Sequence, residues 1–379
     1  MAGLVDLPLP DHFRGFAAVV ENDGGTTYPA ICRGVADDGD VLSLLDGAPL
    51  AQRRPLLLLA AVHYLLLAGA QHSLARYYDT VAAMRGVPFE PPEGNPAPVF
   101  ADFCRSHRDA LTLLAATRST QTNEVGRCSA LMPGLCYVAA DHGWAEPIAL
   151  LDLGTSAGLN LLFDDYAYTY RARDGDDVIQ AGTRGSAVAL ECTVRGDPAA
   201  LPELRTPAVS ARVGLDLAPL DATSDDEALW LLACQWPDNP VRFGRLRAAL
   251  ENRRASTDPP RLERGDMVTD LHRVAATVGQ REPLVVFHSW VAAYLDEAQQ
   301  RALATAVRTL GATRPVHHLY LEAPFETPGL EAPPSPEPHQ GPDLATALVH
   351  VGPGGEATRL ADAHPHGYWI RWWPPSRPR

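Results

Sequence analysis

Apolar residues recur at intervals of three and four from Asp11 to about Trp144, in blocks at 12–20, 55–70, 74–84, 99–118 and 124–141. That spacing lines one side of a helix, so the pattern predicts helices throughout this half of the chain. Breaks rich in proline and glycine separate the blocks, most plainly PFEPPEGNPAPVF at 88–100. From Ile148 onward the pattern changes to short apolar runs divided by amphipathic stretches. Strands are predicted at 148–153, 211–216, 261–265, 283–288, 316–322, 345–351 and 367–373, with helices over 226–254, 267–278 and 294–310. Trp236-Pro237 interrupts the first of these helices, and proline can neither donate to the helix ladder nor let its predecessor stay helical, so two helices are expected there.

The expected fold class is therefore α/β, with an all-helical N-terminal cap domain over 1–145 and a wound α/β domain over 146–379. An insertion of about 164–210 carries the alternation YAYTYRAR, an Asp-Gly turn at 174–175 and VALECTVRG, which fits an inserted β-hairpin segment. Two antiparallel strands are expected to close the sheet within LVHVGPGGEATRL and GYWIRWW, after a proline-rich connection at 331–342.

Charge narrows the partners. The net charge is −14, and every one of the 32 basic residues is arginine. An acidic surface repels phosphates, so no nucleic-acid partner is expected and a small-molecule substrate is. Without lysine, Schiff-base, pyridoxal-phosphate and phosphate-loop chemistries lack their central residue. Six cysteines include no Cys-x-x-Cys pair, which suits buried thiols in a reduced, cytoplasmic setting. The most apolar stretch, Pro55 to Ala70, contains His63 and Tyr64 and is too short to span a bilayer, so no membrane partner is expected. The start, MAGLVDLPLPDHF, lacks a basic segment before an apolar run and does not read as a signal peptide. Oligomeric state is not legible.

The chemistry is concentrated at IALLDLGTSAGLNLL, residues 148–162. An apolar strand ending at Asp152 runs into a turn bracketed by Gly154 and Gly158, then into a helix-forming stretch. Such a turn lets the backbone approach a ligand and exposes N–H groups to it. The spacing matches neither Gly-x-Gly-x-x-Gly nor the phosphate loop. Further acids follow at later strand ends, Asp216 and Asp266. A carboxylate there can accept both hydroxyls of a ribose, or the amino group of an adenine. Each acid also has a plainer reading as a helix cap.

The order of elements after Ile148 resembles the Rossmann-like sheet of the class I S-adenosylmethionine-dependent methyltransferases. DLGTSAG resembles that family's first motif, VGLDLAP at 213–219 its second strand, ERGDMVTDL at 263–271 its third, and VVFHSWVAAYLDEAQQRAL at 285–303 its fourth strand and following helix. The resemblance implies S-adenosylmethionine as cofactor, held by Asp152, Gly154, Ser156, Gly158, Asn160, Asp216 and Asp266. Asp216 would take the ribose and Asp266 the adenine. The family's usual Gly-x-Gly-x-Gly is here reduced to two glycines. A second resemblance covers nearly the whole chain. AAVHYLLL (60–67), STQTNEVGRC (119–128), LGTSAGLNLLFDDYAY (153–168), WPDNPVRFGRL (236–246) and ADAHPHGYW (361–369) are similar to an uncharacterised bacterial domain family seen often in actinobacteria.

Other polar residues join this picture as candidates. Gln121, Asn123, Glu124 and Arg127 lie between apolar helical blocks, either capping a helix or holding a polar substrate, and arginine suits a bidentate grip on a carboxylate. His288 follows the fourth strand in FHSW and is the candidate general base, with Ser289 and Trp290 shaping the pocket. Asp164 and Asp165 read as solvated or as a helix end. His364 and His366 form His-x-His, a metal pair only with a third ligand. Gly154-Thr-Ser156-Ala-Gly158 also satisfies the nucleophile-elbow pattern of serine hydrolases, with Asp266 or Asp296 and then His364 or His366 in the chain order a triad needs. Methyl transfer to a small polar metabolite is the leading expectation. The alternatives are a serine hydrolase using Ser156 and a non-catalytic binding protein on the same fold.

Overall fold

A computed structural model describes residues 7–141, 146–173, 175–279, 281–312, 314–337 and 345–373. Asp174 of the expected Asp-Gly turn and part of the proline-rich connection lie outside these residues. The chain divides into two compact units, residues 1–122 with 221–247 and residues 123–220 with 248–379. The sequence reading placed a single boundary near 145. In the structure the first unit is instead discontinuous in sequence.

The first unit is helical: α1 (Leu9–Asn22), α2 (Thr27–Ala36), α3 (Gly39–Leu42), α4 (Pro55–Leu67), α5 (Asp79–Arg85), α6 (Pro96–Ser106), α7 (Arg108–Thr117) and, after α8 of the other unit, α9 (Asp225–Ala233). The expected 99–118 helix is broken at His107, whose φ of −120° leaves the helical range between α6 and α7. The uncharged α4 begins with proline at its first turn, where no N–H is missed, and buries residues on all sides. Its one interior imidazole, His63, is fully satisfied. Nδ1 lies 3.0 and 3.2 Å from the carbonyls of Ala233 and Gln235, and Nε2 lies 2.8 Å from Thr80 Oγ1. Two carbonyls require the proton on Nδ1, and burial pushes the pKa down to about 4, so the ring stays neutral.

The second unit is built on one sheet: β1 (Ile148–Leu153), β2 (Ala167–Ala172), β3 (Val178–Gly182), β4 (Ala189–Val194), β5 (Val209–Asp216), β6 (Arg261–Arg264), β7 (Leu284–Ser289), β8 (Val316–Glu322), β9 (Thr346–Val351), β10 (Ala357–Ala363) and β11 (Trp369–Trp372). Its order is β3-β2-β4-β11-β10-β9-β8-β7-β1-β5-β6. The pairs β6-β5, β5-β1, β1-β7 and β7-β8 are all parallel. The chain leaves β1 toward β5 on one side and later returns to β7 on the other, so the winding reverses between β1 and β7. In open α/β sheets that reversal leaves a crevice at the strands' carboxyl ends. β1, parallel to both neighbours, and β8, parallel to β7 and antiparallel to β9, are buried along their whole length, as interior strands covered on both faces should be. Helices α8 (Cys128–Asp141), α11 (Leu271–Ala275) and α12 (Glu297–Leu310) belong to this unit, while α10 (Pro240–Ala255) straddles the chain boundary at 247.

Two strand expectations change. The insertion does form the antiparallel hairpin β2–β3, but it also supplies β4, which pairs parallel to both β2 and β11 and so extends the main sheet. After β8 there are three strands rather than two. The unforeseen one, β10, reads ATRLADA and has little intrinsic strand preference; it is held by antiparallel pairing with β9 and β11 on either side. The expected 267–278 helix shrinks to α11.

Candidate functional site

Both loops that leave the reversal point carry unusual backbone. Gly154 and Gly158 have φ of +70° and +75°, and Ser156 between them has φ +53°. In the loop after β7, Trp290 has φ +55°. Among the described residues Ser156 and Trp290 are the two non-glycine positions with positive φ. A bulky side chain disfavours that region, and residues held there concentrate at functional sites. The glycine at 154 is required by its surroundings, since a Cβ there would sit 2.3 Å from Val291 Cγ2.

Two acids meet beside this loop. Asp152, at the end of β1, is 3% exposed and accepts from Thr155 Oγ1 at 2.8 Å. Burial pushes its carboxyl up to about 8, with the neighbouring charge of Asp216 adding to the rise, so it is largely protonated at neutral pH. Asp216, at the end of β5, accepts from Ser156 N through Oδ2 and from Ala218 N through Oδ1, both at 2.8 Å. The third acid behaves differently. Asp266 Oδ1 accepts from Val268 N and Thr269 N at 2.8 and 2.9 Å, which is the turn-capping role.

The segment at 123–127 fastens these loops together. Asn123 is 4% exposed, and its Oδ1 accepts from Ala157 N and Leu159 N at 3.2 and 3.3 Å. Two amides of the glycine loop are therefore satisfied from within the chain. Glu124 accepts from Gly126 N at 3.0 Å and lies 3.6 Å from His366 Nδ1. Arg127 donates to Pro365 O and Ser289 O, both at 3.1 Å, and its guanidinium lies 6.0 Å from the centre of the Trp290 ring. Asn160 is buried and accepts from Cys128 Sγ at 3.4 Å.

His288 is fully buried. Its Nδ1 lies 2.7 Å from Glu322 Oε1 and its Nε2 lies 3.0 Å from His318 Nε2. With both nitrogens engaged it presents none to a substrate in this arrangement, so the general-base expectation finds its residue inside a network. Period-two alternation along β8 explains the grouping: His318, Tyr320 and Glu322 share one side, and His288 is in register with Tyr320. The rings of His288 and Tyr320 stack, with centroids 5.4 Å apart. Burial holds His318 well below the ordinary imidazole value, with His288 and His350 adding to the effect, so His318 is neutral. Glu322 Oε1 also accepts from Val291 N and Ala292 N at 3.1 and 3.2 Å.

The structure thus gathers Asn123, Glu124, Arg127, Asp152, Gly154, Ser156, Gly158, Asn160, Asp216, His288 and Trp290 in one unit around the carboxyl ends of β1, β5 and β7. Asp266 caps a turn beyond β6, and Gln121 belongs to the helical unit. Asp164 forms a bidentate pair with Arg212 at 2.9 and 2.6 Å, and Asp165 accepts from Asn252 at 3.2 Å, so both are structural partners. His364 Nδ1 accepts from His366 N at 3.0 Å. Among the described residues no group of three or more histidine, cysteine or acidic side chains is placed to hold a metal ion. Sequence reasoning missed Glu322, although β8 ends in an acid just as β5 does, and missed His318 beside it.

The fold and site define an α/β protein with a polar centre at a sheet's winding reversal. The chain belongs to the family described as uncharacterised protein conserved in bacteria (DUF2332), which matches residues 10–372. No curated protein matches it. Among the described residues no helix is long and apolar enough to cross a membrane.

Proposed function

We propose that the carboxyl edge of β5, β1 and β7 binds the adenosine part of S-adenosylmethionine, and that the protein transfers a methyl group to a small polar metabolite. The observation that carries this reading is the setting of Asp216. Each of its oxygens is fixed by one backbone N–H at 2.8 Å. A carboxylate has about four acceptor sites, so one remains on each oxygen, side by side, as paired ribose hydroxyls require.

The charge pattern supports the same choice. Asn123 already occupies the amides of Ala157 and Leu159, which removes the donors a phosphate would need. Asp216, Glu124 and Glu322 make the edge acidic, which suits a sulfonium cation and opposes a nucleoside polyphosphate. Such a cofactor, when bound, supplies an electrophilic methyl group. The chain's part is to hold and align the reactants and to exclude water. Asp152, largely protonated, is a hydrogen-bond donor at the same edge.

Isothermal titration calorimetry with S-adenosylmethionine and S-adenosylhomocysteine tests the reading. Binding of both is expected, weakened at least about tenfold, or ~1.4 kcal/mol, in Asp216→Ala and nearly unchanged in Ser156→Ala. Absence of heat with either ligand refutes it. The positive φ of Ser156 in a Gly-x-Ser-x-Gly turn favours one other reading, a serine hydrolase. Covalent labelling of Ser156 by a fluorophosphonate probe would establish that reading instead.

A further inference from the structure

Glu322 is 2% exposed, yet its two oxygens are treated very differently. Oε1 receives three donors: His288 Nδ1, Val291 N and Ala292 N. Oε2 is buried and has no hydrogen-bond partner among the described residues. In the loop facing the end of β8, Trp290 donates its backbone N–H to Leu321 O at 3.2 Å, while its buried indole Nε1 has no partner among the described residues either. Buried polar atoms are almost always paired, so an acceptor and a donor left open on neighbouring segments call for an explanation.

The network behind Glu322 acts on Oε1 alone. His318 is held neutral by burial, and a 3.0 Å contact between His318 Nε2 and His288 Nε2 leaves room for a single proton. When that proton sits on His318, His288 accepts it at Nε2 and donates from Nδ1 to Glu322. A buried carboxyl group whose three donors all reach one oxygen leaves the other open, and that oxygen is stabilised most by a cation that is also a donor.

We propose that Glu322 is a substrate-binding residue that takes an ammonium group of the ligand at Oε2. His288 and His318 are positioning residues that orient the carboxylate, and Trp290 Nε1 offers a donor to a second polar atom of the same ligand. The class of substrate is then an amine-bearing metabolite. The inference rests on the reading of this edge as the binding site, while requiring nothing about which cofactor lies beside β5.

Ethylammonium chloride is the probe, titrated into the full-length protein at constant ionic strength against sodium chloride and sodium acetate. Thermal unfolding is expected to rise with ethylammonium alone, and that rise is expected to vanish in Glu322→Gln, which keeps the shape and removes the charge. An equal rise in wild type and Glu322→Gln, or no rise in wild type, overturns the proposal. S-adenosylhomocysteine calorimetry on the same two proteins separates the claims: a lost ethylammonium response in Glu322→Gln supports this inference whether or not S-adenosylhomocysteine binds either protein. Should the variant fail to fold, crystals of the wild type soaked in ethylammonium chloride decide. A nitrogen about 3 Å from Oε2 is expected, and a water there bonded only to protein overturns the assignment.

Discussion

Replacing Gly154 by alanine places a methyl group 2.3 Å from Val291 Cγ2 and asks a side-chain-bearing residue to hold φ +70°. The backbone part costs about 1–2 kcal/mol. The steric part, an extra carbon forced into a filled space, costs roughly 1–3 kcal/mol. A total near 3 kcal/mol corresponds to about a hundredfold faster local opening, at 1.4 kcal/mol per factor of ten. Hydrogen exchange followed by mass spectrometry on a peptide covering 148–163 reads this directly, without requiring the two units to unfold together. Val291→Ala removes the Cγ atoms at 2.3 and 3.3 Å but leaves Cβ at 2.8 Å. The double variant is therefore expected to recover part of the loss, with a coupling of about 1 kcal/mol. Exchange in Gly154→Ala within twofold of wild type, or strict additivity in the double variant, would refute the claim that Val291 seats against this glycine.

Further predictions follow from neighbouring contacts. Asn123→Ala leaves two buried amides without their shared acceptor and is expected to lose about 2–4 kcal/mol, whereas Asn123→Asp keeps an oxygen for both and is expected to lose less; denaturant midpoints of the two variants compare them. Asp152 has its folded pKa raised to about 8 by burial, so its protonation favours the folded state fully below the unfolded value near 4, and that contribution fades as pH rises through 8. Asp152→Asn is expected to flatten the fall in stability between about pH 4 and 8, by an upper bound of roughly 5 kcal/mol, measured as urea unfolding against pH. All six cysteines are buried and unpaired, and burial raises the pKa of Cys32 and Cys234 to about 12. Ellman's reagent should react with few or none in the native protein and with six after denaturation.

Much of the fold was legible from the chain. The β1 run is apolar up to Asp152 because a strand paired parallel on both sides is covered on both faces, and the Trp236-Pro237 break between α9 and α10 follows from proline's missing donor. β10 was not legible, because ATRLADA becomes a strand only through its two neighbours. The site divides in the same way. Glycines and acids at strand ends marked where the loop after β1 and the end of β5 would lie. Residue type alone left Asp216 and Asp266 indistinguishable, and the structure separates them: Asp216 bonds across to the glycine loop, while Asp266 closes its own turn.

The sequence by itself determined the change from helical to α/β patterning at Ile148, the glycine turn at 154–158 and the acids at strand ends, because periodicity, turn chemistry and strand length are local properties. Only the tertiary structure decided that Asn123 fills that turn, that 221–247 belongs with the first helices, and that His288 is locked between Glu322 and His318. Those pairings join residues 30 or more positions apart, and nothing in a local pattern specifies which distant partner a buried polar atom will meet.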